Sequence, residues 1–157
     1  MDRQQHIKLA LSEDQYKKDI TTKILQLDKN CKAIIKAKES FHIYGLKWFS
    51  DVFKSVNKST KIKLKVEDGD HVKRNKVIGE IYGTNHALLN SERVALNYLQ
   101  TMSGTYDKCI RFRKKISNKK IQLLHTRKTI PLYRLPLSEA CNAAGCAPHR
   151  YDLSSSI

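Results

Sequence analysis

At 157 residues the chain has the size of one domain, or of a small domain joined to part of another. Its ordinary hydrophobic share and modest aromatic content fit a globular chain and exclude a disordered one. No run approaches the roughly 18 apolar residues of a membrane span. The 30 lysines and arginines against 15 acidic residues leave a formal charge of +15, which invites anionic partners: nucleic acid, a membrane surface, or phosphorylated and carboxylated metabolites.

The four cysteines, Cys31, Cys109, Cys141 and Cys146, form no Cys-x-x-Cys pair. They read as free thiols in a reducing compartment, not as a zinc site. The polar start Met-Asp-Arg-Gln-Gln-His leads into an apolar stretch too short for a signal peptide, so a cytoplasmic location is expected.

Residues 3–12 read as a short helix anchored by Ile7, Leu9, Ala10 and Leu11. Ser12-Glu13-Asp14-Gln15 has the form of a capping box, the signature of a helix start, although a polar stretch follows it. Asp19-Ile20-Thr21-Thr22 is rich in capping and turn residues. Cys31 to Lys38 reads as a strand, with His42 to Tyr44 as a short extension before Gly45. Gly45 then opens an amphipathic helix. Leu46, Phe49, Phe53 and Val56 fall at helical spacing with Trp48 and Val52 alongside, a stripe that belongs to the core. From Lys61 the period changes to two, with Ile62, Leu64 and Val66 alternating with lysines. Asp68-Gly69-Asp70 signals a turn, and Val72 and Val77 to Gly83 supply further short strands of a small sandwich half. No lysine sits in the tip context of a lipoyl or biotinyl carrier.

Residues 86–102 are predicted as the strongest helix, on Leu88, Ala95, Leu99 and Met102, widened by Leu89, Leu96 and Tyr98. Ser103-Gly104 is expected to interrupt it, and a second helix to run from Thr105 to about Ile116. Six of the ten residues from Arg111 to Lys120 are basic, which suits a solvated helix end and the negative pole of its dipole. Little aromatic interleaving and no nucleic-acid module signature accompany them.

Ile121, Leu123 and Leu124 predict a strand that runs into Thr126-Arg127-Lys128-Thr129. Ligands of α/β folds bind at the carboxyl ends of parallel strands, so two adjacent cations there form a natural anion seat. A helix is expected over 132–144, with Pro136 starting, breaking or kinking it. The small residues Ala143 to Pro148 deliver a second cationic pair, His149-Arg150, with Arg150 23 residues after Arg127. These two pairs, with Arg93, are read as a pocket for a small dianion. Tyr151 to Ile157 reads as a polar tail that begins the next strand.

Three segments together resemble one family. Ser91-Glu92-Arg93-Val94-Ala95-Leu96-Asn97-Tyr98-Leu99-Gln100 followed by Ser103-Gly104, then Thr126-Arg127-Lys128-Thr129, then His149-Arg150, are similar in order and spacing to quinolinate phosphoribosyltransferases, the carboxylating nicotinate-nucleotide pyrophosphorylases. Glu13-Asp14, Asp19 to Thr22, and Glu67-Asp68-Gly69-Asp70 with Val72 agree, so the resemblance covers essentially the whole chain. It implies an α/β fold: an α+β N-terminal sandwich with connecting helices over 1–117, then the first part of an incomplete parallel α/β barrel over 118–157. It implies a homodimer in which each N-terminal domain caps the partner's barrel and Arg93 reaches the other subunit's site. The implied reaction converts quinolinate and phosphoribosyl diphosphate to nicotinate mononucleotide, diphosphate and CO2, with Mg2+, in NAD biosynthesis. Arg127, Arg150 and Arg93 are then expected on the two carboxylates, which planar guanidinium forks suit. Lys128 and His149 are expected as the catalytic groups, supplying positive potential or orienting hydrogen bonds, and Thr126 as a further donor.

The sequence departs from the family pattern where His125 replaces Asp, Leu132 replaces Gly, Ala144-Gly145-Cys146 replaces three glycines, and Pro148 replaces Asn. The family continues into a longer barrel that carries a further lysine, the acidic residues for magnesium and ribose, and a glycine-rich phosphate loop. After Thr129 this chain has only Glu139 and Asp152 as acidic residues, against the oxygen ligands magnesium requires. The expectation is a C-terminally short, truncated homologue. The alternatives are a non-catalytic homologue that dimerises or binds an acidic metabolite, and a basic nucleic-acid-binding protein.

Overall fold

The computed structural model describes residues 1–15, 29–116 and 120–148. The Asp19–Thr22 signal, His149-Arg150 and the tail over 151–157 lie outside the described residues. In chain order the elements are α1 (Arg3–Glu13), β1 (Asn30–Lys36), β2 (Phe41–His42), α2 (Leu46–Val56), β3 (Lys61–Leu64), β4 (His71–Val72), β5 (Val77–Thr84), α3 (Asn85–Lys115) and α4 (Arg134–Ala143).

The capping box of α1 is Asp2 with Gln5. The Gln5 N–H donates to Asp2 Oδ1 at 2.8 Å and the Asp2 N–H donates to Gln5 Oε1 at 2.9 Å. Ser12 to Gln15, which had the form of a helix start, instead closes α1: Asp14 is the C-cap and Gln15 has φ 51°. Ile7 and Leu11 are buried, while Leu9 faces out.

Strands β1, β5 and β3 form an antiparallel sheet with β5 in the centre, and β2 pairs with β4 beside it. Ala33, Ile81 and Ile62 lie in register across the three strands and face the core. Helices cover this inner face. Trp48, Phe49, Val52 and Phe53 of α2 meet Tyr98, Leu99 and Met102 of α3 there, as the sequence period of both helices predicts. Each such side chain, fully buried, contributes about 1.5–3 kcal/mol. The 68–70 turn also serves α2: Asp68 Oδ1 accepts from the N–H groups of Gly45 (2.8 Å) and Leu46 (3.0 Å). It supplies the cap that Gly45, with φ 102°, has no side chain to provide.

Ser103-Gly104 does not interrupt the long helix, and α3 is continuous from Asn85 to Lys115. The Ser103 hydroxyl bonds both the N–H and the C=O of Tyr44 at 3.0 Å, and Tyr106 stacks on Tyr44 at 5.1 Å. These contacts hold the helix through the glycine, whose intrinsic cost is only about 1 kcal/mol.

The strand predicted over 121–124 is reduced to one parallel bridge, Leu124 to Ala147. The Ala147 N–H donates to Leu123 O at 2.8 Å, and the His125 N–H reaches Ala147 O at 3.4 Å. Between them Pro136 sits in the first turn of α4, where its missing N–H has no helical partner to lose. Helix α4 docks on the body through three links. The Trp48 indole N–H donates to Glu139 Oε2 at 2.7 Å, Tyr133 stacks on Tyr98 at 5.7 Å, and Arg113 Nη1 donates to Ala144 O at 2.7 Å. Among the described residues no helix is long and apolar enough to cross a membrane.

Candidate functional site

The segment after Leu124 is a tight turn that presents cations. Thr126 Oγ1 accepts the Lys128 N–H at 3.1 Å, and the Thr129 N–H donates to Arg127 O at 3.0 Å. Lys128 is exposed and Arg127 is half-buried. The Nε of Arg127 is buried and makes no hydrogen bond. A buried guanidinium N–H left without an acceptor is costly, and a carboxylate or phosphate oxygen is its natural partner. The turn follows directly on the parallel bridge, so these cations lie at the carboxyl end of a strand-like segment.

His125 stands where the resemblance has Asp. Its Nε2 lies 3.2 Å from Ser138 Oγ, which ties the turn to α4. Arg93, on α3, is exposed, with Nη1 2.9 Å from Asp14 Oδ1 at the end of α1. No hydrogen bond or ion pair among the described residues joins Arg93 to Thr126, Arg127 or Lys128. Thr126, Arg127 and Lys128 share one turn and Arg93 pairs with Asp14, while His149 and Arg150 lie outside the described residues. A cleft of about 420 Å³ lies near the start of the 121–125 segment, lined by Arg113, Ile121, Leu123, Gly145, Cys146 and Ala147. That is the opposite end from the cationic turn, so the cleft and the anion seat are different places.

The glycine departures have a simple reading in the backbone. Ala144 is right-handed helical (φ −72°), and Cys146 is not among the positive-φ residues, so neither requires glycine. Gly145 does, at φ 81°. Leu132 has φ 65°, a left-handed position that the family pattern fills with Gly.

Among the described residues magnesium finds no fitting donor set. Among the described residues no group of three or more His, Cys, Asp or Glu is placed to hold a metal ion. Glu139 is committed to the Trp48 indole, and the turn itself is cationic.

Sequence reasoning missed two clusters. Asp107 Oδ1 accepts from both the ring Nδ1 (2.7 Å) and the backbone N–H (3.0 Å) of His42, while Arg111 Nε lies 2.7 Å from its Oδ2. Burial pushes this carboxyl up, but the His42 hydrogen bonds and Arg111 outweigh it and hold Asp107 below its ordinary value. His42 and Asp107 are 65 residues apart, and no linear motif announces the pair. The second cluster gathers cysteines that look scattered in sequence: Cys109 Sγ lies 3.7 Å from Cys141 Sγ, and Cys146 is close by. Burial raises all three thiols, Cys146 to about 11, so they remain protonated and unbridged.

The family model for the quinolinate phosphoribosyl transferase N-terminal domain matches residues 19–103, and that for the C-terminal domain matches residues 107–157. The chain belongs to the quinolinate phosphoribosyltransferase family. It is 30% identical over 139 residues to a probable nicotinate-nucleotide pyrophosphorylase [carboxylating] of Bacillus subtilis (strain 168), covering 88% of this chain and 48% of that one. It is 34% identical over 151 residues to quinolinate phosphoribosyltransferase [decarboxylating] 1b of Nicotiana tabacum, covering 94% of this chain and 42% of that one. The crystal structure of NadC from Streptococcus pyogenes superposes with a TM-score of 0.88 at 32% identity, covering 96% of this chain and 55% of that one. The nicotinate-nucleotide pyrophosphorylase of Ehrlichia chaffeensis superposes at 0.90 with 26% identity, covering 100% and 58%. The chain thus has the α/β fold of this family and spans about half the length of the curated relatives it matches. The two quinolinate phosphoribosyltransferase family models meet between 103 and 107, inside the unbroken α3.

Proposed function

We propose that this chain carries the acid-recognition part of a carboxylating phosphoribosyltransferase site, one that joins quinolinate to phosphoribosyl diphosphate in NAD biosynthesis. The observation that carries the reading is the buried, unpartnered Nε of Arg127 beside Lys128 at the end of a parallel strand segment. In this reading residues 1–117 form the N-terminal domain and residues 118–157 the first part of the barrel. Arg127 and Arg150 hold the quinolinate carboxylates. Arg93 adds a third guanidinium from the partner subunit of a cytoplasmic homodimer. Lys128, His149 and the Thr126 hydroxyl orient the acid and supply positive potential. The ring nitrogen attacks the sugar carbon as diphosphate leaves, and the 2-carboxylate departs as CO2. These residues act by position and electrostatics, since no proton need be removed from the attacking nitrogen. Magnesium is expected with the diphosphate. The described residues do not fit it, and no step is derived through it.

Calorimetric titration with quinolinate tests the seat. Arg127→Ala is expected to lower affinity about 10- to 100-fold, the loss of a charge-assisted hydrogen bond. Arg127→Lys is not expected to restore it, because an ammonium lacks the planar fork. Unchanged affinity in Arg127→Ala would overturn the assignment. Turnover of quinolinate and phosphoribosyl diphosphate, assayed in parallel, distinguishes catalysis from binding of an acidic metabolite without reaction.

A further inference from the structure

The β1–β5–β3 sheet has two faces of opposite chemistry. Ala33, Ile62 and Ile81 look into the core, and the alternate positions look out. On the two outer strands most of those outward positions are lysine, and on the central strand they include Glu80 and Tyr82. Lys32 and Lys65 Nζ lie 3.2 and 2.6 Å from the same Glu80 Oε1. Lys32 and Lys63 Nζ lie 5.6 and 5.4 Å from the centre of the Tyr82 ring. Lys61 is the register partner of Tyr82, and Lys36 continues the alternation of β1 past the exposed Ile34. One carboxylate therefore sits among five lysines and pairs with two of them, and the Tyr82 hydroxyl donates to its second oxygen at 2.6 Å.

Edge strands commonly carry lysine against edge-to-edge pairing. That need does not explain lysines from both outer strands gathered over one aromatic ring in the middle. The layout is that of a single-strand platform: cations in rows with an aromatic between them on which a base can stack. Lys61, Lys63 and Lys65 repeat every two residues, about 6.7 Å, on the order of the phosphate repeat of an extended strand. An acidic peptide would use the charges but leave the ring without a role, and a duplex hides its base faces.

We propose that the outer face of the β1–β5–β3 sheet docks single-stranded nucleic acid, with phosphates along the lysine rows and a base on Tyr82. This surface is separate from the Arg127 turn, and the proposal stands independently of the quinolinate reading.

The test is fluorescence anisotropy of the full chain with a labelled mixed-sequence oligoribonucleotide of about 12 nucleotides, a span one such platform can hold. A duplex of equal length and a polyglutamate peptide of equal charge serve as competitors. The triple substitution Lys61→Gln, Lys63→Gln and Lys65→Gln is expected to reduce the slope of log affinity against log salt by about 2, at about 0.7 per phosphate contact. Tyr82→Leu is expected to weaken binding about tenfold with the slope unchanged, and Tyr82→Phe to retain affinity. The triple substitution Lys108→Gln, Lys114→Gln and Lys115→Gln, on α3, serves as a charge-matched control that leaves binding within about twofold. Wild-type affinity in the triple variant, no loss in Tyr82→Leu, or better competition by duplex or polyglutamate than by unlabelled single strand would each overturn the proposal. Should the triple variant lose its cooperative melt, Lys32→Gln replaces it and is expected to reduce the slope by about 0.7.

Discussion

Leu132 is a branched side chain in left-handed backbone, at φ 65° and 63% exposed, so no packing offsets the strain. The left-handed region costs a non-glycine residue about 1–2 kcal/mol. Leu132→Gly is therefore expected to stabilise the chain by about 1 kcal/mol, read as a rise of about 2–4 °C in thermal midpoint for a chain of this size. Gly145 is the converse. A Cβ there would clash with Arg113 Nη1, on a backbone with φ 81°. Gly145→Ala is expected to cost about 1–2 kcal/mol and to displace Arg113 from Ala144 O, visible as a lowered urea midpoint. The sequence showed glycine missing at 132, 144 and 146 but not which absence mattered, because the sign of φ is set by the turn around each position. The cations of the site were legible, since Arg127 and Lys128 follow an apolar run directly. The buried, unpaired state of Arg127 Nε was not, because burial depends on how the turn packs.

At the scale of elements, the stripes of α2 and α3 were legible because their apolar spacing coincides with the face that is buried. The break expected at Ser103-Gly104 was not found, because helix propensity is local and the Tyr44–Ser103 bonds are tertiary. Gly104 is helical and a Cβ there would meet nothing within 4 Å. Gly104→Ala is therefore expected to stabilise α3 by about 1 kcal/mol and to slow amide exchange across 100–108. Asp107 ties β2 to the same helix through His42. Its folded carboxyl titrates below its unfolded value, so its contribution is complete above the unfolded value and is lost as pH falls through the folded one. Urea midpoints measured from about pH 6 to about pH 2 should fall less steeply in Asp107→Asn than in the wild-type chain, with a lower midpoint at the neutral end. Parallel curves would show that His42 and Arg111 do not hold that charge.

The whole molecule joins the two family segments through α3 and the docking of α4. The boundary between the family models falls inside one helix, and α4 packs on α3 with Glu139 reaching Trp48 of α2, so the described residues should unfold as one unit. The pivot is Trp48, the only tryptophan in the sequence, 1% exposed, whose indole N–H meets Glu139 across 91 residues. Its fluorescence reports the α2–α4 contact, and far-UV ellipticity reports the helices together, so in the wild-type chain the two denaturation curves should superimpose. Glu139→Ala leaves a buried indole donor without its carboxylate. The loss should be about 1.5–3 kcal/mol, the range for hydrogen bonds to charged groups, and Glu139→Gln, which keeps a neutral acceptor, should lose less. If α4 is held mainly by this bond, Trp48 emission in Glu139→Ala shifts to the red at lower urea than the ellipticity falls. If the Tyr98–Tyr133 stack and the Arg113–Ala144 bond suffice, the curves stay superimposed and move together. The three links act on one ten-residue helix whose Ala140 is fully buried, so the second pattern, a single displaced transition, is the expected one.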